Sequence, residues 1–465
     1  MHRYGSLWFL LWCTITILTF LWGYTGLPPG MEVYGKAWVT WIAIARGMAM
    51  VTLLQSVLVL VPVLYRSMKW CRTWTWLEAH FPFDAYRFIH ILMGGALLVA
   101  GFIHTVAQLL AFAQSPTNPL GVYSWASYLK LWPVWTGFAI LFLWSGTIPL
   151  THPKIRKMRF NWFWNSHRVL YLSYYILLVV HGAGSYLAPS RALWFIPAIV
   201  FFYLYDRRDR LWPGCCRQTS YLLPHSVHFY PHVMRITLKR PPGFRTTTPG
   251  MFVYLNIPAL ARFEWHPFTL ATVVLENDTS LCLMIACPGD WTTEFRRLLY
   301  HSITSSPAVA CHIDGPIGAP TQLYTHYDVI MLIAGGVGIV PFLSILDSWA
   351  RQEHCNGIPE TYLYWGMRNE EHFFEDLTLR SLPSQCHVHQ FVTVPKGGYA
   401  RHPLCTGRPN WNRVFSNIAA KHGGKTVGVF FCGPVHFQRC IEEQCRKMSK
   451  ESTAIFELHA ELFAD

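Results

Sequence analysis

The chain has 465 residues, 52% of them hydrophobic and 14% charged, with a formal net charge of +13. Soluble proteins carry about 25% charged residues, so this balance excludes an ordinary water-soluble protein along the whole length. The positive charge sits in loops between apolar runs and forms no basic stripe interleaved with stacking aromatics, which argues against a nucleic-acid partner.

From the N-terminus to about Leu211 the sequence is a series of apolar runs, at approximately Leu7–Trp22, Ala37–Tyr65, Phe88–Phe112, Leu131–Leu150, Trp162–Leu187 and Ala192–Tyr205. A helix of ~20 residues crosses the hydrocarbon, and flanking Trp and Tyr extend the shorter first and last runs. Six spans are expected. The first run follows Arg3 but is rich in Trp and Phe and meets no small-residue cleavage site, so it reads as a retained span and not a signal peptide. Arg66, Lys69, Arg72 and Arg87 lie in the second loop, Lys154, Arg156, Lys157 and Arg159 in the fourth, and Arg207, Arg208 and Arg210 after the last span. The intervening loops hold only Lys36, Lys130 and Arg191. Basic loops stay inside, so both chain ends and the soluble half are expected in the cytoplasm. The thirteen cysteines show no zinc spacing and read as structural.

Two runs share a pattern: "HILMGGALLVAGFIH" from His90 to His104 and "HRVLYLSYYILLVVH" from His167 to His181. Fourteen helical positions rise ~21 Å and return to nearly the same face. Side by side, two such helices set His90 opposite His167 and His104 opposite His181, giving two stacked two-histidine sites. Protohaem suits them, as an apolar disc whose iron takes two axial imidazoles; zinc asks for more polar ligands closer together. The competing reading is hydrogen-bonded packing histidines, which two identical spacings disfavour.

From about Tyr221 to Gly315, short apolar runs broken by Pro, Gly and Asn read as a small antiparallel barrel. Within it "EWHPFTLAT" (Glu264–Thr272) reads as a turn feeding a strand whose Thr faces outward to hold a flavin, although Pro-aromatic-Thr strand starts are common. In "GDWTTEF", Thr292 is expected as an N-cap, with free amides beside Trp291 suited to a pyrophosphate. In "DVIMLIAGGVGIVPFLSIL" a buried strand ends in Gly335, Gly336 and Gly338 before a helix from about Ile339. That pattern suits a dinucleotide pyrophosphate, or else a structural strand-to-helix turn. Later strands at "ETYLYWGMR", "HVHQFVTV" and "KTVGVFFCGP" complete a doubly wound parallel sheet. Arg368 and Arg408 fall at or just beyond strand ends, either as a clamp for a 2′-phosphate or as surface charges.

With these residues in place, the chain resembles the catalytic core of the NADPH oxidases, within the wider ferric reductase-like transmembrane superfamily. The phrases that carry the likeness are "IHTVAQLL", the paired histidines, "HPFTLAT", "GDWT", "IDGPIG", "GGVGIVPFLSIL", "GRPNW", "CGP" and "ELF". The resemblance implies a multi-domain fold: a six-helix transmembrane bundle binding two b-type haems (1–212), then a cytoplasmic ferredoxin-reductase-like unit. That unit comprises an antiparallel β-barrel FAD domain (218–318) and an α/β doubly wound NADPH domain (322–465).

It implies His90 and His167 as ligands of the inner haem, and His104 and His181 of the outer. FAD falls to His266, Pro267, Phe268, Thr269, Thr272, Trp291 and Thr292, and NADPH to Gly335, Gly336, Gly338, Arg368 and Arg408. Cys432, Gly433 and Pro434 would lie near the nicotinamide–flavin contact, with Phe463 covering the flavin ring. Arg46 resembles an arginine of the outer oxygen site; Gln108 stands where relatives commonly have histidine, and Ala286 where they tend to have a basic residue. The implied activity moves electrons from cytoplasmic NADPH to oxygen across the membrane, the plasma membrane being expected, and yields superoxide. The alternatives are a ferric or cupric reductase with the same wiring, acting on a ferric chelate, and a haem-binding membrane subunit without reductase activity. Membrane lipid and regulatory protein partners complete the expected company.

Overall fold

The computed structural model describes residues 5–72, 74–81, 83–114, 124–158, 160–183, 191–208, 219–222, 226–305, 308–351, 357–368, 382–393 and 405–461. The chain forms two compact units, Met1–Arg208 and Asp209–Asp465.

The apolar runs of the first unit become the long helices α1 (Gly5–Thr25), α2 (Lys36–Leu58), α3 (Tyr86–Gln114), α4 (Trp132–Thr151), α5 (Phe160–Gly182) and α6 (Ala192–Asp206). Among the described residues, Leu7–Thr25, Lys36–Val63, Tyr86–Gln114 and Trp132–Thr151 are long and apolar enough to cross a membrane. The helix α6 is shorter, at 15 residues, and α5 is diluted near its start by Asn165, Ser166, His167 and Arg168.

Lipid supplies no hydrophobic drive between helices, so close backbone approach and internal hydrogen bonds must join them. At the α1–α2 crossing, a Cβ on Gly23 would lie 2.7 Å from the Arg46 carbonyl, and one on Gly47 2.6 Å from the Phe20 ring. Gln55 of α2, fully buried, donates to Thr16 at 3.1 Å and accepts from the Trp12 indole at 3.2 Å. Ser56 is 2.6 Å from the Tyr174 hydroxyl, and its carbonyl accepts from Tyr175 at 2.6 Å, tying α2 to α5. At the end of α6 the buried Asp206 carboxylate accepts from the amides of Arg66 and Ser67 and so caps the first turn of the short helix Tyr65–Arg72.

The second unit opens with strands β1 (Thr219–Leu222), β2 (Val227–Phe229), β3 (Val233–Lys239), β4 (Phe252–Asn256), β5 (His266–Thr269), β6 (Ser280–Ala286) and β7 (Val309–Ile317). They form two antiparallel sheets, ordered β1-β7-β4-β5 and β2-β3-β6, joined by a bridge between Leu270 and Leu283. Met234, Ile236, Val253, Leu255, Leu281, Leu283 and Ile313 fill the core between them, closed by Trp291, Phe295 and Leu299 of helix α7 (Asp290–Ser305).

A six-stranded parallel sheet follows, ordered β11-β10-β9-β8-β12-β13. Its strands are β8 (Val329–Gly335), β9 (Glu360–Met367), β10 (Cys386–Val392), β11 (Cys405–Thr406), β12 (Thr426–Cys432) and β13 (Ile455–Glu461). The unbroken apolar run of β8 suits a strand covered on both faces: Ile330 and Leu332 pack beneath α8 (Val340–Ala350). Met331 and Ile333 face α9 (Trp411–Lys421) and α10 (Val435–Glu451). The strand β13 is an element that the sequence reading did not separate. The chain order reverses between β8 and β12, which makes their C-terminal ends the topological switch point.

Helix α8 also fastens the parallel sheet to the antiparallel strands. Ser344 accepts from the Gly250 amide at 2.8 Å, and Asp347 from the Val273 amide at 3.1 Å. Arg351 pairs with Asp347 at 3.1 Å and with Asp278 at 3.0 Å. Replacing Asp347 with Ala leaves the buried Val273 amide unpaired, at a cost of about 2 kcal/mol. The expected outcome is a lower melting temperature in detergent, with flavin released in the same transition.

Candidate functional site

Helices α3 and α5 bring the four histidines into two pairs. The ring centroids of His90 and His167 are 6.2 Å apart, as are those of His104 and His181. Three of the rings are anchored through Nδ1. His90 donates to the Val59 carbonyl and His104 to the Ala45 carbonyl, both at 2.8 Å. His181 donates to Thr136 Oγ1 at 3.1 Å, while the Thr136 hydroxyl itself donates to the Trp132 carbonyl. Nδ1–H bonding of this kind fixes the tautomer and leaves Nε2 as a lone-pair donor. His167 has no hydrogen-bond partner at its buried Nδ1 among the described residues and stacks instead on Phe163, centroids 5.4 Å apart. Two imidazoles bonded to opposite sides of one metal at about 2 Å each put their ring centres roughly 6 Å apart. The pairs therefore fit a metal held between Nε2 atoms, as in haem. Tyr174 stands midway along α5 between its two histidines, with Trp144 of α4 at 5.4 Å.

Arg46 and Gln108 belong to the end of the bundle that carries His104. Arg46 follows the residue whose carbonyl holds the His104 ring, and its Nη2 donates to the Gly26 carbonyl at 2.9 Å. Gln108 lies one turn past His104 on α3, half-buried.

In the second unit, "HPFT" and "GDWT" meet. The His266 and Trp291 rings are 4.2 Å apart, and Phe268 stacks beyond Trp291 at 6.0 Å. His266 Nε2 and Trp291 Nε1 are buried without a hydrogen-bond partner among the described residues. His266 Nε2 has the Glu264 carboxylate at 3.7 Å; polar atoms without hydrogen bonds beside flat rings suit a planar ligand bearing acceptors, as a flavin does. Pro267 is exposed on β5, and Thr272 is half-exposed beyond its end. Two expectations need correcting. Thr269 is buried, 8% exposed, because the Leu270–Leu283 bridge turns the strand end over the core. Thr292 is not the N-cap: α7 begins at Asp290, and the Thr292 hydroxyl, inside the first turn, donates back to the Gly289 carbonyl at 3.0 Å.

At the switch point the register aligns Gly335 with Gly366, Ala334 with Cys432, and Cys432 with Glu461. A single 3₁₀ turn, Gly336–Ile339, separates β8 from α8, and the Trp365 indole donates to the Gly336 carbonyl at 2.9 Å. A Cβ on Gly338 would lie 2.0 Å from the Cys432 carbonyl, and one on Gly335 3.0 Å from Pro434. "GGVG" and "CGP" therefore form one cradle, Gly433 included, open at the C-terminal strand ends. Arg368 and Arg408 are exposed along the same edge, past β9 and β11.

Burial, reinforced by the nearby Glu461 charge, pushes the Cys432 thiol well above its usual range, so it stays protonated. Glu461 was not singled out from sequence, although it lies in the quoted "ELF"; its carboxylate accepts from the amide and hydroxyl of Thr321. Phe463 lies outside the described residues.

The family model for an FAD-binding domain matches residues 224–321, and that for a ferric reductase NAD binding domain matches 327–396 and 387–446. Respiratory burst oxidase homolog protein E of Arabidopsis thaliana is 27% identical over 98% of this chain and 58% of its own length. A superoxide-generating NADPH oxidase heavy chain of Dictyostelium discoideum is 27% identical over 94% of this chain and 92% of its own. The chain thus spans little more than half of the plant relative. A ferredoxin NADP+ reductase from Neisseria gonorrhoeae with bound FAD and NADP aligns with a TM-score of 0.41 at 15% identity, over 52% of this chain and 98% of that one.

Gly338→Ala tests the cradle. Because its methyl would displace the Cys432 carbonyl, the KM for a nicotinamide nucleotide is expected to rise at least ~10-fold, with bound flavin retained in the absorption spectrum. Cys432 is expected to resist iodoacetamide at neutral pH while the exposed Cys405 and Cys440 are alkylated, as mass spectrometry of the peptides will show.

Proposed function

We propose that this chain, which resembles the NADPH oxidases along nearly its whole length, carries out transmembrane NADPH oxidation with superoxide as the product. The overall balance is one NADPH and two oxygen molecules giving NADP+, one proton and two superoxide anions. The observation that carries the reading is the pair of histidine layers at equal 6.2 Å spacing, with three of the four rings turned by hydrogen bonds to free Nε2.

In this reading 1–212 is a six-span bundle, 218–318 the FAD domain and 322–465 the NADPH domain. Both termini are cytoplasmic, and the plasma membrane is the site. Bound flavin supplies the conversion of a two-electron hydride donor into single electrons, and two b-type haems supply one-electron carriers through the hydrocarbon.

The remaining work belongs to the protein. His90 and His167 hold the inner haem, and His104 and His181 the outer. The carbonyls of Val59 and Ala45 and the Thr136 hydroxyl keep the ligating nitrogens aimed inward. His266, Phe268 and Trp291 bind the flavin beside Pro267, Thr269 and Thr272, with Thr292 at the start of α7. Gly335, Gly336 and Gly338 let backbone amides approach the NADPH pyrophosphate, and Arg368 and Arg408 favour its 2′-phosphate. Cys432, Gly433 and Pro434 shape the nicotinamide end, the neutral thiol adding no charge against the transferred hydride, and Phe463 covers the flavin. Arg46 and Gln108 offer donors to the anion that develops where oxygen is reduced.

The test is His104→Leu and His181→Leu, each in the full chain. Expected are the loss of one of two haems per chain in the Soret absorbance and of superoxide-dismutase-sensitive dye reduction. NADPH-driven reduction of a soluble acceptor that draws directly on the flavin is expected to persist. Superoxide output undiminished without the outer haem overturns the proposal.

A further inference from the structure

The residue before α6 is Arg191. Its guanidinium lies over the Trp22 ring, Cζ 3.8 Å from the centroid, and its Nη1 is 3.9 Å from Met50 Sδ. Met50 is one turn past Arg46 on α2, and Gly26, which receives the Arg46 Nη2 hydrogen bond, is one turn past Trp22 on the α1 side. Two guanidinium groups therefore converge on the segment from Trp22 to Gly26.

Neither arginine forms an ion pair among the described residues. The Arg46 Nε is buried without a partner among them. A carbonyl, a thioether and an indole face hold the two groups on one short segment, and the guanidinium N–H groups not used in those contacts are donors that an anion can take. The planar guanidinium fork matches the two oxygens of a carboxylate or similar oxyanion. The place is set by the histidines, since Ala45, whose carbonyl orients His104, immediately precedes Arg46.

We infer that Arg191 joins Arg46 in a two-guanidinium site for oxyanionic electron acceptors at the His104–His181 end of the bundle, and so helps select which acceptors are reduced there. The inference rests on the proposed reading that electrons reach that end. Each transfer moves one electron and breaks no bond, turning a ferric chelate into its ferrous form or oxygen into superoxide. NADPH supplies two such electrons and releases one proton. Carboxylate-bearing ferric chelates are the acceptor class that the site favours over cationic ones, and oxygen gains from it only as negative charge develops.

The experiment uses the haem- and flavin-loaded full chain in sealed vesicles, with NADPH supplied to the nucleotide side. Ferric citrate and cationic hexaammineruthenium(III) are offered on the other side, to the native protein, Arg191→Gln and Arg191→Lys. Arg191→Gln is expected to lower the ratio of kcat/KM for ferric citrate to that for hexaammineruthenium about tenfold, mainly through the KM of citrate, and Arg191→Lys to restore most of it. The native ratio is expected to fall as salt is raised.

An equal loss on both acceptors together with a shifted outer-haem midpoint potential overturns the inference and assigns the arginines to the haem's own carboxylates. An unchanged ratio and an unchanged potential overturn it as well. Native protein without two haems per chain, or unable to reduce either acceptor across the vesicle wall, marks failure of the underlying electron path and not of the arginine site.

Discussion

An imidazole surrounded by hydrocarbon gains from a partner for its ring N–H, and three of the four paired histidines of the first unit have one. His90 and His104 both take it from the backbone of α2 and the turn that follows it, while His181 takes it from Thr136 on α4. The bonds that aim these rings are thus also bonds between helices. Orientation of these three rings and packing of the bundle are one set of interactions, which sets both histidine pairs at the same 6.2 Å spacing.

The second unit meets a different constraint, the closeness of two strand ends at the sheet's reversal. With Gly338 against the Cys432 carbonyl there is room for backbone and nothing else. The polar groups that remain follow the same geometry. Trp365 pins the turn by its indole, and the buried thiol beside Glu461 stays neutral.

Legibility in the sequence followed the range of the interactions. Fourteen helical positions between histidines are a local repeat, and the pairing they imply is the pairing found. The glycine turn and "CGP" were equally visible, because small residues at strand ends leave a compositional mark. The carbonyls of Val59 and Ala45 left none, since every residue has one. Thr269 was misplaced because alternation along β5 gives no warning of the bridge that folds its end inward. Thr292 was misplaced because α7 starts at an aspartate two residues earlier. Strand β13 sits on a sheet edge, and its pairing with β12 depends on a register that only the fold supplies. Nor did local pattern hint at Asp347, whose bond to Val273 spans 74 positions.

That bond, with Ser344 on Gly250 and Arg351 on Asp278, has a thermodynamic consequence for the second unit. Two nominal domains stitched through buried amides have little freedom to hinge, and neither gains much by melting without the other. They form a single cooperative block, in which the nucleotide half holds the flavin half in register. A lesion on the far turns of α8 therefore reaches both halves of the second unit together.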